Sequence, residues 1–213
     1  SFDYEVVEKT KSLAVVPYSG EWKDIGTWNT LTEEMEEESV GYAVTGEDCE
    51  NTHVINELSI PVVALGTKNI VVAASPDGIL VSDKHKSSYI KPYVENITGR
   101  PMYEERRWGE YKVYDYIQYK DGTKSLTKHI TVHAGMAQDY QLHHYKDEVI
   151  TVVNGSGEFV IDGCLMKLSY GDTICIRRGQ KHTMRAIEDL QMICVQIGEE
   201  ISEEDVEVYE WRW

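Results

Sequence analysis

The sequence predicts a mainly β protein whose second half is a sandwich or barrel, preceded by a short α/β stretch and a small β-rich segment. The first observation is that past residue 100 nearly every stretch reads as strand: "EYKVYDYIQY", "SLTKHITVHAG", "EVITVVNGSGEFVIDG", "CLMKLSYGDTICI" and "LQMICVQIG" alternate or run apolar. Side chains two apart share a face of a strand, so such alternation marks half-buried sheet. The second is the punctuation, with Gly, Asp and Asn turns closing each short run. The third is that helical spacing is confined to the first half. "TWNTLTEEMEEE" (27–38) carries Trp28, Leu31 and Met35 at helical intervals behind Thr27, a plausible N-cap. Its acidic end reads as a solvated helix end. "SSYIKPYVENI" (87–97) predicts a second helix, with Pro92 inside it obscuring where it starts.

Between the helices, residues 40–66 break into short β pieces ending in "IPVVALG", followed by the strands "NIVVAAS" and "GILVSD". "TGRP" (98–101) marks a boundary. The expected division is 1–38, 39–98 and 99–213.

Composition bounds the function. The formal net charge is −16, a surface that repels nucleic acid and anionic membranes, so neither is an expected partner. Charged residues at 27% and hydrophobic ones at 41% suit a soluble globular chain. No apolar run has membrane-spanning length, and the N-terminus has no signal-peptide pattern. The missing initiator methionine suggests a fragment or a processed chain. Cys49, Cys164, Cys175 and Cys194 show no CxxC pairing, and three lie in apolar runs where a free thiol packs as a small hydrophobe. This favours a reducing, cytoplasmic setting without disulfides.

One local cluster opposes the acidic background. "IRRGQKHTMR" (176–185) holds Arg177, Arg178, Lys181 and Arg185, which read either as a solvated hairpin or as a phosphate-binding patch.

"QLHHYKDEVITVVNG" (141–155) carries the densest set of candidate ligands. If it begins as a strand, Gln141, His143 and Tyr145 share one side and His144 faces away. Glu148 opens the following apolar run, and His182 follows the glycine turn of "YGDTICIRRGQKH". Two imidazoles, a carboxylate and an amide oxygen suit Zn²⁺, Mn²⁺, Fe²⁺, Co²⁺ or Ni²⁺ without selecting among them.

The spacing of Gly135, Gln141, His143, Glu148 and Gly155 resembles the first motif of the cupin superfamily, and that of Gly171, Gly179 and His182 its second. The resemblance implies a double-stranded β-helix (jelly-roll) barrel holding one metal through Gln141, His143, Glu148 and His182. "ERRWGEYKVYDY", "LTKHITVHAG" and "ICVQIGEEISEEDV" further resemble segments of type II phosphomannose isomerase domains. "SFDYEVVEKT" and "WKDIGTW" (22–28) are similar to the end of the nucleotidyltransferase domain of mannose-1-phosphate guanylyltransferases. In that family a small left-handed β-helix lies between these parts.

The resemblance implies an enzyme that makes GDP-mannose from GTP and mannose 1-phosphate, fused to a metal-dependent sugar-phosphate isomerase. Asp24 matches an aspartate near the Mg²⁺ and sugar phosphate of the transferase, though by itself it can equally cap a turn. The glycine-rich phosphate loop of that transferase is absent from these residues, so nucleotide transfer by this chain alone is not expected. Lys128 and Lys146 stand at basic positions of the isomerase motifs and are candidate catalytic residues, or simply strand-edge lysines. Tyr145, at a position where the family has histidine, is the third candidate. A homodimer through the barrel is also implied. Other positions depart from the pattern: Arg177 replaces a proline, Thr183 and Ala186 replace an arginine and an asparagine, and Val208 replaces an arginine. These losses open an alternative, a non-catalytic cupin that binds sugar phosphates or dimerises.

Overall fold

The computed structural model describes residues 2–14 and 16–213; Ser1 and Val15, within the expected 1–38 segment, lie outside the described residues. A π-helical turn at Asp3–Val7 and an irregular, exposed stretch lead to helix α1, Trp28–Glu34. Thr27 caps it as expected, its side chain accepting from the Thr30 amide while the Thr30 side chain returns the bond. The helix stops at Glu34, short of the acidic run's end, because nothing apolar beyond Met35 holds a further turn to the core.

Six short strands follow: β1 (Ser39–Gly41), β2 (Ala43–Thr45), β3 (His53–Asn56), β4 (Val62–Ala64), β5 (Ile70–Ser75) and β6 (Gly78–Asp83). β1, β3 and β5 pair in parallel, as do β2 and β4, and Glu50 bridges Lys68 in the same sense. Successive turns of chain thus stack into a small β-helix-like coil around Val54, Ala64 and Val72, closed by antiparallel β6. The helix expected over 87–97 is instead a 3-10 turn (Lys86–Tyr89) and the single α turn α2 (Lys91–Val94). Pro92 sits near the start of α2, where its missing N–H costs no intrahelical bond.

The remaining chain forms β7 (Tyr103–Arg106), β8 (Gly109–Gln118), β9 (Lys124–Val132), β10 (Tyr140–Leu142), β11 (Lys146–Asn154) and β12 (Gly157–Ile161). It continues as β13 (Cys164–Leu168), β14 (Thr173–Ile176), β15 (His182–Ala186), β16 (Leu190–Gly198) and β17 (Glu207–Tyr209). They build two antiparallel sheets, ordered β14-β11-β16-β9-β8-β7 and β13-β12-β15-β10-β17. This is the double-stranded β-helix barrel that the motifs imply.

Alternation accounts for it: in β11 the pattern is buried at Lys146, Glu148, Ile150 and Val152, and less so between. Ile150, Val152 and Met192 from one sheet meet Phe159, Leu168 and Met184 from the other in a single apolar core. The same strand thus carries an apolar core at its centre and polar groups at its start, and the site lies at that polar end. Two cysteine expectations are corrected. Cys194 is buried in the core, but Cys164 and Cys175 face solvent, because β13 and β14 are edge strands with one uncovered face. No described helix is long and apolar enough to cross a membrane.

Candidate metal centre

Three donors converge between the sheets. Glu148 projects inward from β11; His182 opens β15, where it pairs with Gln141 of β10; His143 follows the end of β10. Glu148 Oε2 lies 3.6 Å from His143 Nε2 and 3.5 Å from His182 Nε2. All three side chains are buried, and their ligand atoms fit within 4.8 Å of one another.

The second ring nitrogens decide the chemistry. His143 Nδ1 lies 2.5 Å from the Asp205 carbonyl and His182 Nδ1 lies 3.0 Å from that of Gln180. A carbonyl only accepts, so each Nδ1 carries a proton, and each Nε2 is the ring nitrogen turned to Glu148. Two Nε2 atoms and a carboxylate oxygen, facing one another out of water, form a donor set that a divalent cation would complete. Burial pushes the Glu148 carboxyl up, but its two histidine neighbours prevail and hold it well below the usual carboxylate range. Its Oε1 accepts from Gln196 Nε2 at 2.6 Å, which fixes the side chain's rotation, while Gln196 Oε1 is buried without a partner. The donor set therefore fits a divalent metal of the Zn²⁺ to Ni²⁺ group, and Gln141 lines the same cavity as His143 and Glu148.

Turn geometry sets the two histidines. Gly179 adopts a φ of +83°, which a β-carbon disfavours, and its N–H donates to the His143 carbonyl at 2.7 Å. The glycine of one motif thereby ties directly to the histidine of the other. His182 also stacks on buried Phe159 with ring centroids 6.3 Å apart.

His143, Glu148 and Gln141 edge a cavity of about 210 Å³ lined also by Arg106, Lys128, Lys146, Glu203 and Asp139. Lys128 and Lys146 are both buried. Lys128 pairs with Glu203 at 3.2 Å and lies over the Tyr111 ring, its centroid 4.7 Å away. Burial opposes charge on Lys128, but Glu203, Cys194 and Glu148 together outweigh it and the ammonium is held above the ordinary lysine range. Lys146 has only the Ser202 carbonyl, 2.5 Å from Nζ, and burial pushes its ammonium below the ordinary lysine range. Cys194, against Glu148, has its thiol pushed well up by burial and is a poor nucleophile.

Several expected residues lie elsewhere. Tyr145 is half exposed and outside the cavity: β10 ends at Leu142, the chain bends through His143–Tyr145, and strand alternation does not cross a bend. Lys146 is turned inward in its place. His144, as expected, faces away, reaching Glu207 at 3.1 Å. The basic cluster does not converge. Arg177 and Arg178 bind Asp147, Lys181 lies over Tyr209, and Arg185 bonds Glu158 on the other sheet. Asp24 is exposed ahead of α1 and joins neither the cavity nor the ligand trio. Sequence reasoning missed Arg106, Gln196 and Glu203, although all three lie in the quoted segments "ERRWGEYKVYDY" and "ICVQIGEEISEEDV".

Comparison with known proteins agrees with this architecture. The mannose-1-phosphate guanylyltransferase of Escherichia coli K12 is 31% identical over 97% of this chain and 45% of its own length. Salmonella typhimurium ManC is 30% identical over 100% of this chain and 46% of its own, and the alginate biosynthesis protein AlgA of Pseudomonas putida 30% over 99% and 45%. The chain spans about half the length of these curated relatives, their C-terminal part. Solved structures with a similar part include an RmlC-like cupin from Shewanella frigidimarina, 17% identical over 49% of this chain and 88% of that one, TM-score 0.41. Oxalate decarboxylase from Bacillus subtilis is 15% identical over 52% of this chain and 32% of that one, TM-score 0.43. Residues 97–211 match the family described as mannose-6-phosphate isomerase C-terminal, over half of the chain, and the chain belongs to that family.

Proposed function

We propose that the barrel cavity is a metal-dependent isomerase site that interconverts mannose 6-phosphate and fructose 6-phosphate. The observation that carries this reading is the convergence of His143, Glu148 and His182, the first two of them lining a cavity that also holds two buried lysines. The cavity's charged lining comprises Arg106, Lys128 and Lys146 against Asp139, Glu148 and Glu203. Lys146 is uncharged when it acts as a base, so Arg106 and Lys128 then stand against three carboxylates and a bound divalent cation would leave a surplus of one positive charge. That surplus complements a phosphate monoester, which carries roughly −1.5 to −2 at neutral pH.

His143, His182, Glu148 and Gln141 would hold the metal, which when bound would supply Lewis-acid polarisation to the sugar oxygens. The protein supplies the rest. Aldose–ketose exchange moves one proton from one carbon to its neighbour, and its hydroxyl counterpart between the two oxygens. Lys146, buried with a depressed proton affinity, takes the carbon-bound proton at Nζ and returns it to the adjacent carbon. Lys128, kept charged by Glu203, and Arg106 at the mouth bind the phosphate. Tyr145, outside the cavity, has no part in this scheme.

In the longer proteins of this type the chain follows a guanylyl-transferring half, which brings GTP, Mg²⁺ and the site at Asp24. Its phosphorylated, nucleotide-linked substrates place the whole in the cytoplasm, and the open edge of β17 offers a route to a homodimer. The test of the isomerase reading is conversion of mannose 6-phosphate to fructose 6-phosphate by the 213-residue chain with Zn²⁺, Mn²⁺ or Co²⁺ supplied. Turnover abolished by His143→Ala supports it. A folded, metal-loaded protein without turnover refutes it and leaves a sugar-phosphate-binding module.

A further inference from the structure

The segment 199–206 joins β16 to β17 without regular structure, yet it touches most of the site's working groups. The Ser202 carbonyl accepts from Lys146, Glu203 pairs with Lys128, and the Asp205 carbonyl accepts from His143 Nδ1. An irregular strap holds such positions only if something anchors it. The Asp205 carboxylate, 8% exposed, is that anchor: Oδ1 accepts from the His144 amide at 2.9 Å and Oδ2 from the Tyr145 amide at 3.1 Å. One residue therefore grips the bend on its backbone side and the His143 ring on its other side.

The two histidines differ in what orients them. His182 Nδ1 is held by Gln180, two residues away within its own turn. His143 Nδ1 is held by a carbonyl 62 positions later, reachable only while the strap stays docked. We propose that Asp205 is a positioning residue that fixes the tautomer and direction of His143, so that one metal ligand depends on the strap and the other does not. Loss of the carboxylate leaves two bend amides without acceptors, and the carbonyl that holds the His143 proton drifts with the freed strap.

The affinity part of this inference rests on the metal reading; the tautomer part does not, and the experiment separates them. Nitrogen-15 NMR of the histidine rings in the metal-free chain reports the tautomer of each. Wild type is expected to show both as Nδ1–H. In Asp205→Ala, His143 becomes a mixture while His182 stays unchanged, and the Tyr145 amide exchanges faster with solvent. Asp205→Asn, which keeps volume and one acceptor, gives the same changes in smaller measure and serves if the alanine variant does not fold. Titration with Co²⁺ is expected to show affinity about 10–100-fold weaker in Asp205→Ala. A wild type that takes up no Co²⁺, with the His143-specific change intact, sinks the metal reading and leaves the positioning role standing. An unchanged His143 signal, or equal changes at His143 and His182, overturns the positioning role.

Discussion

Glu148→Gln separates metal binding from packing more cleanly than any other single change. The glutamine has the same size at a site 6% exposed, so no cavity opens. Its carbonyl still accepts from Gln196, now 2.6 Å from Oε1, and its amide faces the imidazole nitrogens that lie 3.5 and 3.6 Å from Oε2. Metal-free stability should therefore change little, by about 2 °C or less in Tm. Metal affinity should fall far more. Four-ligand protein zinc sites bind with about 10–16 kcal/mol, roughly 2.5–4 kcal/mol per donor. At 1.4 kcal/mol per decade that is roughly a 10²–10³-fold loss. With metal at about 100 times the wild-type Kd, linkage stabilises wild type by about 2.7 kcal/mol, a rise of roughly 5–10 °C for a chain of this size. At 10²-fold weaker affinity the variant gains only about 0.4 kcal/mol, roughly 1 °C. Calorimetric melts with chelator and with Zn²⁺ or Co²⁺ read both quantities. A variant that keeps the full metal-dependent rise would refute Glu148 as a ligand, and a wild type with no rise would refute the site.

Other substitutions probe the surroundings. Lys146→Met keeps an unbranched chain in the buried slot and should cut isomerase turnover about 10²–10⁴-fold while leaving metal affinity within about threefold, measured by coupled assay and titration. Arg177→Ala with Arg178→Ala should change kcat and KM by less than about twofold, since both bind Asp147 outside the cavity. Asp147 is held below the usual carboxylate range chiefly by the Arg178 amide, with Arg177 adding to this against burial. A carboxylate so depressed stabilises the fold above its unfolded value of about 3.9 and loses that contribution as pH falls through the lower folded value. Asp147→Asn should thus melt earlier at pH 7, with the deficit shrinking once pH falls below about 3.9 and vanishing below the lower folded value. Gly155→Ala should lower Tm by roughly 5–15 °C, because φ is +80° and a β-carbon would lie 2.0 Å from the Asp189 carbonyl oxygen.

The barrel was legible because its strands obey one local rule. β9, β11 and β16 bury alternate residues over most of their length, and that alternation is present in the sequence itself. The positions of His143, Glu148 and His182 were legible for a related reason, since glycine turns such as that at Gly179 set where each strand begins. Local rules failed where a distant residue intervenes. Tyr145 leaves the face predicted for it because Asp205, 60 residues later, holds the bend. The Lys128–Glu203 pair spans 75 residues, a juxtaposition no spacing rule encodes. The basic run 177–185 illustrates the converse. Four cations close in sequence are dispersed by a turn and a strand to three separate partners, Asp147, Tyr209 and Glu158.

On the isomerase reading proposed above, a chain of net charge −16 must hold a site for an anion. The exposed basic groups bound to neighbouring acids or lying over aromatic rings create no useful field, and the remaining acidic surface is screened beyond about 8 Å at physiological salt. Lys128 and Lys146, by contrast, act from buried positions where screening is weak and the effective dielectric low. On the proposed reading, charged Lys128 beside a bound metal would therefore outweigh a larger number of distant carboxylates. The overall acidity then governs only the approach of the substrate. Raising ionic strength from low to physiological should accordingly speed association with an anionic sugar phosphate rather than slow it, the reverse of what a basic surface patch would produce.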